Sequence, residues 1–302
     1  MPCKKEAPLL GWYMDISDRY CQEKAAKSGS SFYYSFLGLP TEKRQAMTAL
    51  YAFCREVDDI VDECLDKEVA TQKLNWWADE IEALFQGKPQ HPIGMALQKS
   101  FKHFPLKKYL FQEILQGMQM DLQYQGYQTF EDLRQYCYSV ASAPGLLAAE
   151  IFGFTETSTL EYAKNLGIAL QLVNIIRDVG EDLKRGRLYI PEDELEQFSI
   201  KPHEILAKAY SKRFQDLMAY QAKRARDYYQ NALATLSITD YKTQKNGIMM
   251  GEIYFSLLRE IEKLDYRVLE QKVSLTPLRK LWIVWKTNRK LKKNTRYDTA
   301  YF

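Results

Sequence analysis

Four residues in the first quarter of the chain have types and a spacing that could hold a metal ion and an anion. Tyr51, Arg55, Asp58 and Asp62 stand at offsets 0, 4, 7 and 11, which places them on one face of a helix. Carboxylates one helical turn apart repel each other, so a cation bound between them would explain the spacing. The arginine on the same face suits an anionic ligand of that cation. A solvated acidic face is the other reading, and this stretch alone leaves both open.

A second stretch repeats this pattern more than a hundred residues later. Gln171, Asn174, Asp178 and Asp182 stand at offsets 0, 3, 7 and 11, with Arg177 beside them. If the two helices face each other, their polar faces form one pocket. Oxygen ligands without Cys or His favour Mg²⁺, which keeps several waters and is completed by substrate phosphates. The sequence therefore predicts a diphosphate–Mg²⁺ site with the metal ligands Asp58, Asp62, Asn174, Asp178 and Asp182.

The composition limits the class of protein. The chain has 302 residues, 46% of them hydrophobic, which is enough for a substantial core around a cavity. Its net charge of +3 is too small to indicate a nucleic-acid partner, and none is predicted. Five cysteines without C-x-x-C or zinc spacing favour reduced thiols in the cytoplasm. We find neither a signal peptide nor a run of about 20 apolar residues, so we expect a soluble or membrane-surface protein.

Helical periodicity predicts an all-α chain, and no convincing strand pattern is found. We expect a single domain over residues 1–302, with a loose N-terminus over 1–14 and a basic tail over 286–302. The turn Ser28-Gly29-Ser30 ends the first helix and either presents N–H groups and hydroxyls to an anion or is a simple break. The expected helices cover residues 15–27, 41–63, 70–85, 93–104, 106–122, 130–152, 157–182, 202–236 and 247–271.

Two of these helices contain residues that interrupt a regular helix. Pro144 lies inside the helix over 130–152, where it removes a backbone donor and predicts a kink or a break. Gly180 and Gly186 predict that the helix over 157–182 weakens at its end, which would leave Asp182 on a loosened turn.

The two acidic stretches resemble the signature segments of the squalene/phytoene synthase family, which are head-to-head prenyl-diphosphate condensing enzymes. The resemblance covers most of the chain, roughly from Tyr20 to Trp285. It includes the stretches Ser28–Pro40, Tyr136–Ala141 and Arg185–Pro191. Three segments look most like the bacterial presqualene diphosphate synthases of squalene and hopanoid biosynthesis: Gly29–Phe36, Cys54–Asp59 and Pro277–Trp282.

This resemblance implies an isoprenoid-synthase-type helical bundle around a central apolar cavity. It also implies that two farnesyl diphosphates condense to presqualene diphosphate with release of diphosphate, with Mg²⁺ as cofactor. The implied catalytic residues are Asp58, Asp62, Asp178, Asp182 and Tyr136. The implied substrate-binding residues are Ser28, Ser30, Ser31, Tyr51, Arg55, Gln171, Arg177 and Tyr254.

Several of these assignments have a second reading. Tyr136 matches the family tyrosine near the reacting carbons, but it could be one more core aromatic. Asp121 could support the acidic cluster or be a hydrogen-bonded core aspartate. The basic segment Lys184–Arg187 could capture diphosphate oxygens or complement a helix C-terminus. Pro144 stands where the family usually has valine, which leaves the pocket contour and the accommodated chain length open.

Other activities fit parts of the same pattern. A phytoene or dehydrosqualene synthase would use the same acidic residues, and a complete squalene synthase would also need NADPH. A head-to-tail prenyltransferase usually has a second DDxxD where this chain has Asn174 to Asp178. A di-iron bundle needs Glu-x-x-His, which is not found. The non-enzymatic alternative is a helical assembly factor of the same family, for which facing acids have no physical use.

The C-terminal segment suggests a partner. Arg279 to Arg296 contains eight Lys and Arg residues, no acid, and the aromatic residues Trp282 and Trp285. Such a segment can lie on an anionic membrane or be a solvated helix end. We therefore expect a cytoplasmic protein, with peripheral contact of the basic tail to the inner face of the membrane as an open prediction. The family resemblance also implies downstream enzymes of the squalene pathway as partners.

Overall fold

The computed structural model describes residues 15–27 and 38–292 of the chain. Within these ranges the secondary structure is helical and no strand is found, so the predicted all-α class is confirmed. The predictions for residues 1–14, for Ser28, Ser30 and Ser31, and for the tail beyond residue 292 lie outside the described residues. The helices are α1 (Ile16–Lys27), α2 (Thr41–Glu63), α3 (Lys67–Phe85), α4 (Pro92–Ser100), α5 (Lys108–Leu122), α6 (Phe130–Cys137), α7 (Ala143–Phe152), α8 (Ser158–Lys184), α9 (Glu192–Gln197), α10 (Pro202–Leu206), α11 (Lys212–Thr235), α12 (Lys245–Lys263) and α13 (Pro277–Lys292).

Helix α8 is the central element of a single bundle. It packs against α7, α11 and α12, and its apolar residues are buried on several faces, as expected for a helix surrounded by others. Helix α2 packs against α1, α4, α5 and α7 and buries residues from Ala46 to Val61. The polar residues of both helices are therefore set into otherwise apolar surroundings.

The interruption predicted around Pro144 is present as a π turn over Tyr138–Ser142, between α6 and α7. The Ala143 N–H donates to the carbonyl of Tyr138, five residues earlier, instead of four. This wider turn suits a following proline, which has no N–H to donate and clashes with the carbonyl one turn back. A Cβ atom on Gly167 of α8 would lie 2.6 Å from the Ser142 Cα atom, so the π turn packs backbone to backbone on α8.

The prediction that α8 loosens at Gly180 is wrong. The helix stays regular to Lys184, so Asp182 lies within it. The glycine is there because another chain segment approaches closely: a Cβ atom at position 180 would lie 2.4 Å from the carbonyl oxygen of Leu269. The close approach brings the segment that carries Lys272 next to the acidic face of α8.

Two predicted helices differ most from the structure in their bounds. The helix expected over 202–236 is two helices, α10 and α11, because a residue with positive φ, Lys208 at 54°, separates them. Ser211 then begins α11 by accepting a hydrogen bond from the N–H of Phe214. The helix expected over 247–271 ends at Lys263, where Asp265 and Tyr266 have positive φ.

Candidate active site

One cavity of about 600 Å³ lies between α2, α5, α7, α8 and α12. Along both α2 and α8, the residues that line it change from apolar to charged towards the C-terminal end. The cavity therefore has an apolar part and a charged part. The apolar part includes Leu50, Met118, Ala148, Phe152, Leu166, Leu170 and Met250.

The charged part lies where two helices end. Asp62 and Asp182 stand in the last turns of α2 and α8, where the carbonyl groups leave a partial negative charge. A carboxylate is unfavourable at such a position unless a cation is nearby. Two helix C-termini with carboxylates on one cavity therefore favour cationic groups there.

Every predicted site residue within the described ranges lines this cavity. The two stretches recognised in the sequence are thus brought together, as predicted from their spacing. The three predicted serines lie outside the described residues, so their substrate contact stays a prediction. The residues that line the cavity as predicted are Tyr51, Arg55, Asp58, Asp62, Tyr136, Gln171, Asn174, Arg177, Asp178, Asp182 and Tyr254.

Arginines on the same helices pair with the acidic residues. Arg55 Nη1 lies 2.5 Å from Asp58 Oδ2, and the Arg55 guanidinium also binds Asp59. Arg177 Nε lies 2.8 Å from Asp178 Oδ1 in a two-pronged contact. The guanidinium groups thus neutralise the carboxylates and remain close enough to bind an incoming anion.

Residues after α8 and α12 add further cations. Arg185 Nη1 lies 2.7 Å from Asp62 Oδ2, and Arg187 Nη1 lies 3.3 Å from Asp62 Oδ1. Lys272 Nζ lies 3.1 Å from Asp178 Oδ1. Lys184 instead pairs with Glu181 at 2.7 Å and does not line the cavity. Within the basic segment Lys184–Arg187, the two arginines therefore lie at the acidic site and Lys184 does not.

The surroundings change the pKa values of three carboxyl groups. Burial, together with the charges of Asp62 and Asp59, raises the pKa of Asp58 to about 6 against the opposing charge of Arg55. Burial and the charge of Asp178 raise the pKa of Asp182 to about 7. Burial would also raise the pKa of Asp178, but its hydrogen bond from Arg177 and the charge of Lys272 outweigh burial and lower it.

The donor set fits Mg²⁺. Asn174 Nδ2 donates to Gln171 Oε1 at 3.2 Å, whereas Asn174 Oδ1 is buried and accepts no hydrogen bond from any residue that the structure describes. A buried acceptor without a donor is unfavourable, and a metal ion would satisfy it. No three Asp, Glu, His or Cys side chains in the described ranges form a metal cluster by themselves. A bound Mg²⁺ would therefore need water and phosphate oxygens as well, which is its usual coordination.

A buried hydrogen-bond cluster lies beside the acidic site. Asp121 accepts from the Tyr136 hydroxyl at 2.9 Å and from the Tyr189 hydroxyl at 2.6 Å. Tyr127 stacks against Tyr189, and Tyr136 does so from a ring-centroid distance of 5.2 Å. Asp121 is thus the hydrogen-bonded buried aspartate of one reading, and it also lines the cavity. Its support of the acidic cluster stays a prediction.

The sequence reasoning missed two residues of the site. Tyr189 lies in a stretch quoted only for its resemblance, and its contact with Asp121 spans 68 residues. Lys272 follows a helix in a segment without periodicity. The resemblance of its stretch was the available signal for Tyr189, whereas nothing in the sequence pointed to Lys272.

The raised pKa values predict how stability changes with pH in the metal-free protein. Because the pKa of Asp182 is about 7 in the folded state and about 3.9 unfolded, the folded state binds more protons between these values. Ionisation of Asp182 therefore lowers the free energy of unfolding as pH rises from about 4 to about 7. The Asp182→Asn variant, which cannot ionise, should gain stability relative to wild type across this range. Urea unfolding at pH 5, 6, 7 and 8 measures the difference, and a constant difference would contradict the prediction.

Comparison with known proteins gives the family. The squalene/phytoene synthase profile matches residues 25–279. A phytoene synthase from Arthrospira platensis is 34% identical over 294 residues, which cover 91% of this chain and 94% of that protein. A dehydrosqualene synthase structure in complex with ligand aligns with a TM-score of 0.84 at 28% identity, over 92% of this chain and 97% of that one. Squalene synthase HpnC from Alicyclobacillus acidocaldarius aligns with a TM-score of 0.76 at 26% identity, over 83% and 94% of the two chains. The chain therefore belongs to the squalene/phytoene synthase family, a class of prenyltransferase-type enzymes.

Proposed function

We propose that this chain condenses two prenyl diphosphates head to head into a cyclopropyl diphosphate and releases diphosphate. The observation that carries this proposal is the single cavity in which carboxylates and arginines at one end continue into an apolar part. A prenyl diphosphate has the same division, with a charged head and an apolar chain. A helical assembly factor would have no use for a cavity of this polarity.

The chemistry begins with the head group. When bound, Mg²⁺ would neutralise the charge that develops on the departing diphosphate as the C1–O bond breaks. Arg55 and Arg177 would exchange their carboxylate partners for diphosphate oxygens and donate hydrogen bonds to them. The electron pair of the broken bond leaves with the diphosphate, and an allylic cation remains. Tyr136 and the apolar residues keep water away from that cation.

The second prenyl diphosphate then supplies the electrons for the new bond. Its C2–C3 double bond attacks C1 of the cation, and loss of a proton closes the cyclopropane. Burial and the charge of Asp121 raise the pKa of Tyr136 far above its ordinary value, so the tyrosine stays protonated. The released diphosphate is therefore the better proton acceptor, and Tyr136 holds its proton towards Asp121.

Two products are candidates. The curated relatives named phytoene synthase support phytoene as product, with geranylgeranyl diphosphate as the proposed substrate. For this product the cyclopropyl diphosphate must itself ionise, release the second diphosphate, rearrange with opening of the ring and lose a second proton. The similarity to a dehydrosqualene synthase and to squalene synthase HpnC supports farnesyl diphosphate as substrate, as does the sequence resemblance to presqualene diphosphate synthases. Of the two, the names of the curated relatives give the stronger support, and we place phytoene synthesis first.

Product analysis tests both the reaction and the product. Purified protein is incubated with farnesyl or geranylgeranyl diphosphate, with and without Mg²⁺ and NADPH. Phytoene from the longer substrate supports the first candidate. Presqualene diphosphate that accumulates regardless of NADPH supports the second, and squalene that requires NADPH would indicate a complete squalene synthase. If neither substrate turns over in the presence of Mg²⁺, the enzymatic proposal is wrong.

A further inference from the structure

The outward face of α13 carries a continuous row of apolar side chains. Leu278, Leu281, Trp282 and Trp285 stand at offsets 0, 3, 4 and 7, which is one face of a helix. Their exposed fractions are 79%, 63%, 54% and 57%. Single exposed apolar residues are ordinary, but four within one helical stripe form a patch that indicates an interaction site.

The opposite face of α13 fixes the helix to the bundle. Ile283, Thr287 and Leu291 are buried, and α13 packs against α12. Arg279 Nη2 also lies 2.6 Å from Glu260 Oε1 on α12. Because these contacts hold the helix in place, the apolar row has a fixed direction, on the side of α13 opposite the buried Ile283, Thr287 and Leu291.

Basic residues surround the apolar row. Helix α13 contains six Lys and Arg residues and no Asp or Glu. Lys286 Nζ lies 4.9 Å from the Trp282 ring centre, and Arg289 Cζ lies 5.5 Å from that of Trp285. Tryptophan rings next to cationic groups are typical of the boundary between lipid head groups and acyl chains.

A small cavity with more basic than acidic residues lies beside the row. It has a volume of about 260 Å³, lies between α12 and α13, and includes Trp282 in its wall. Five of its lining residues are basic and two are acidic. The basic residues that line it are Arg259, Lys263, Arg279, Lys286 and Lys290.

We propose that α13 docks this enzyme on the surface of an anionic membrane, with Trp282 and Trp285 inserted at the level of the head groups. The charge of the helix decides between this occupant and a second copy of the chain. A symmetric dimer through α13 would bring twelve basic residues together without one acid from either helix, which is repulsive. No helix in the described ranges is long and apolar enough to cross a bilayer, so the contact is with the surface. The proposal rests on α13 alone and does not depend on the proposed reaction.

Vesicle binding of the full-length protein tests the proposal. Cosedimentation is measured with vesicles of phosphatidylcholine alone and with about one third phosphatidylglycerol. We expect binding to the anionic vesicles only, and loss of most binding between 0.1 M and 1 M salt, because the screening length falls from about 10 Å to about 3 Å. Equal binding to both kinds of vesicle would overturn the proposal.

Paired variants locate the binding surface. The double variant Trp282→Ala/Trp285→Ala should lower the partition coefficient at least about tenfold, because it removes the two side chains that insert. Trp76→Ala removes an exposed tryptophan of α3 and serves as the matched control, for which no change is expected. Circular dichroism checks that each variant is folded. Unchanged binding of the double variant would overturn the proposal.

A second pair of variants tests the basic residues of α13. Lys286→Glu/Arg289→Glu should abolish binding to anionic vesicles, whereas Lys212→Glu/Lys223→Glu makes the same charge change on α11 and should weaken it only slightly. Equal losses in the two variants would show non-specific attraction and overturn a docking role for α13. The mass in solution is measured as well. A dimer that dissociates when Trp282 and Trp285 are removed would assign this face to a second copy instead.

Discussion

Asp58→Asn is expected to lower kcat/KM by about 10³-fold, and Asp178→Asn by a similar factor. Each change removes a negative charge from the site proposed to hold Mg²⁺ against the substrate diphosphate. The loss should appear with either prenyl substrate, because the carboxylates act on the head group common to both. Initial rates are measured at increasing Mg²⁺ concentrations up to saturation. Excess Mg²⁺ should restore only part of the activity, since a neutral amide oxygen binds Mg²⁺ more weakly than a carboxylate.

Neighbouring acids outside the cavity provide the controls. Glu63→Gln and Glu181→Gln change residues next to Asp62 and Asp182 that do not line the cavity, and they should keep near-normal activity. Because the folded protein raises the pKa of Asp58, the Asn variant should also be no less stable than wild type at pH 8. An active Asp58→Asn enzyme would contradict the metal assignment. An inactive but unfolded one would be recognised by its lowered melting temperature.

The second large effect is expected at Asp121. Asp121→Leu leaves the hydroxyl groups of Tyr136 and Tyr189 without their acceptor in a buried site, at a cost of about 1–3 kcal/mol for each hydroxyl. The variant should therefore lose about 2–6 kcal/mol of unfolding free energy, measured by urea denaturation. Its activity should fall as well, because both tyrosine rings lose the contact that orients them at the cavity.

The Asp121→Asn variant separates charge from hydrogen bonding. The charge of Asp121 contributes to the raised pKa values of both Asp58 and Asp182. Its removal should shift the acidic limb of the pH–activity profile to lower pH, as these carboxyl groups then ionise more easily. Glu80→Gln is the matched control. This buried acid accepts hydrogen bonds from the N–H groups of Gln90 and His91 and does not line the cavity, so its loss should affect stability alone. A pH profile that moves equally in both variants would contradict the role of Asp121.

Site residues on one helical stripe could be predicted from the sequence, whereas site residues held by contacts between elements could not. Asp58 and Asp178 were predictable because each belongs to a helical stripe, and the spacing within a helix fixes which residues share a face. Tyr189 and Lys272 were not predictable from spacing, because their partners lie on other elements. Contacts between elements depend on how the helices pack, which no local pattern records.

The helix bounds show the same limit. From its low helix propensity alone, Gly180 predicts a weak point in the helix. Its role in the fold comes from the backbone at Leu269, which is 89 residues away in the chain and approaches too closely for a side chain. Similarly, the residues between α10 and α11 favour a helix locally, and the break is set by Lys208 and the cap at Ser211.

The π turn before Pro144 determines which residues can share a wall of the cavity. Tyr136, Val140, Pro144, Ala148 and Phe152 all line it, at a constant spacing of four residues. Since an α-helix turns by about 100° per residue, five residues at this spacing would spread over about 160°. One additional residue in the π turn absorbs about 100° of that drift and keeps the row within about 60°. Deletion of one residue from 138–142 would convert the π turn into an α turn and leave Pro144, Ala148 and Phe152 on the same face. A substitution that made the turn α-helical with all its residues kept would instead rotate this later part of the wall by about 100°.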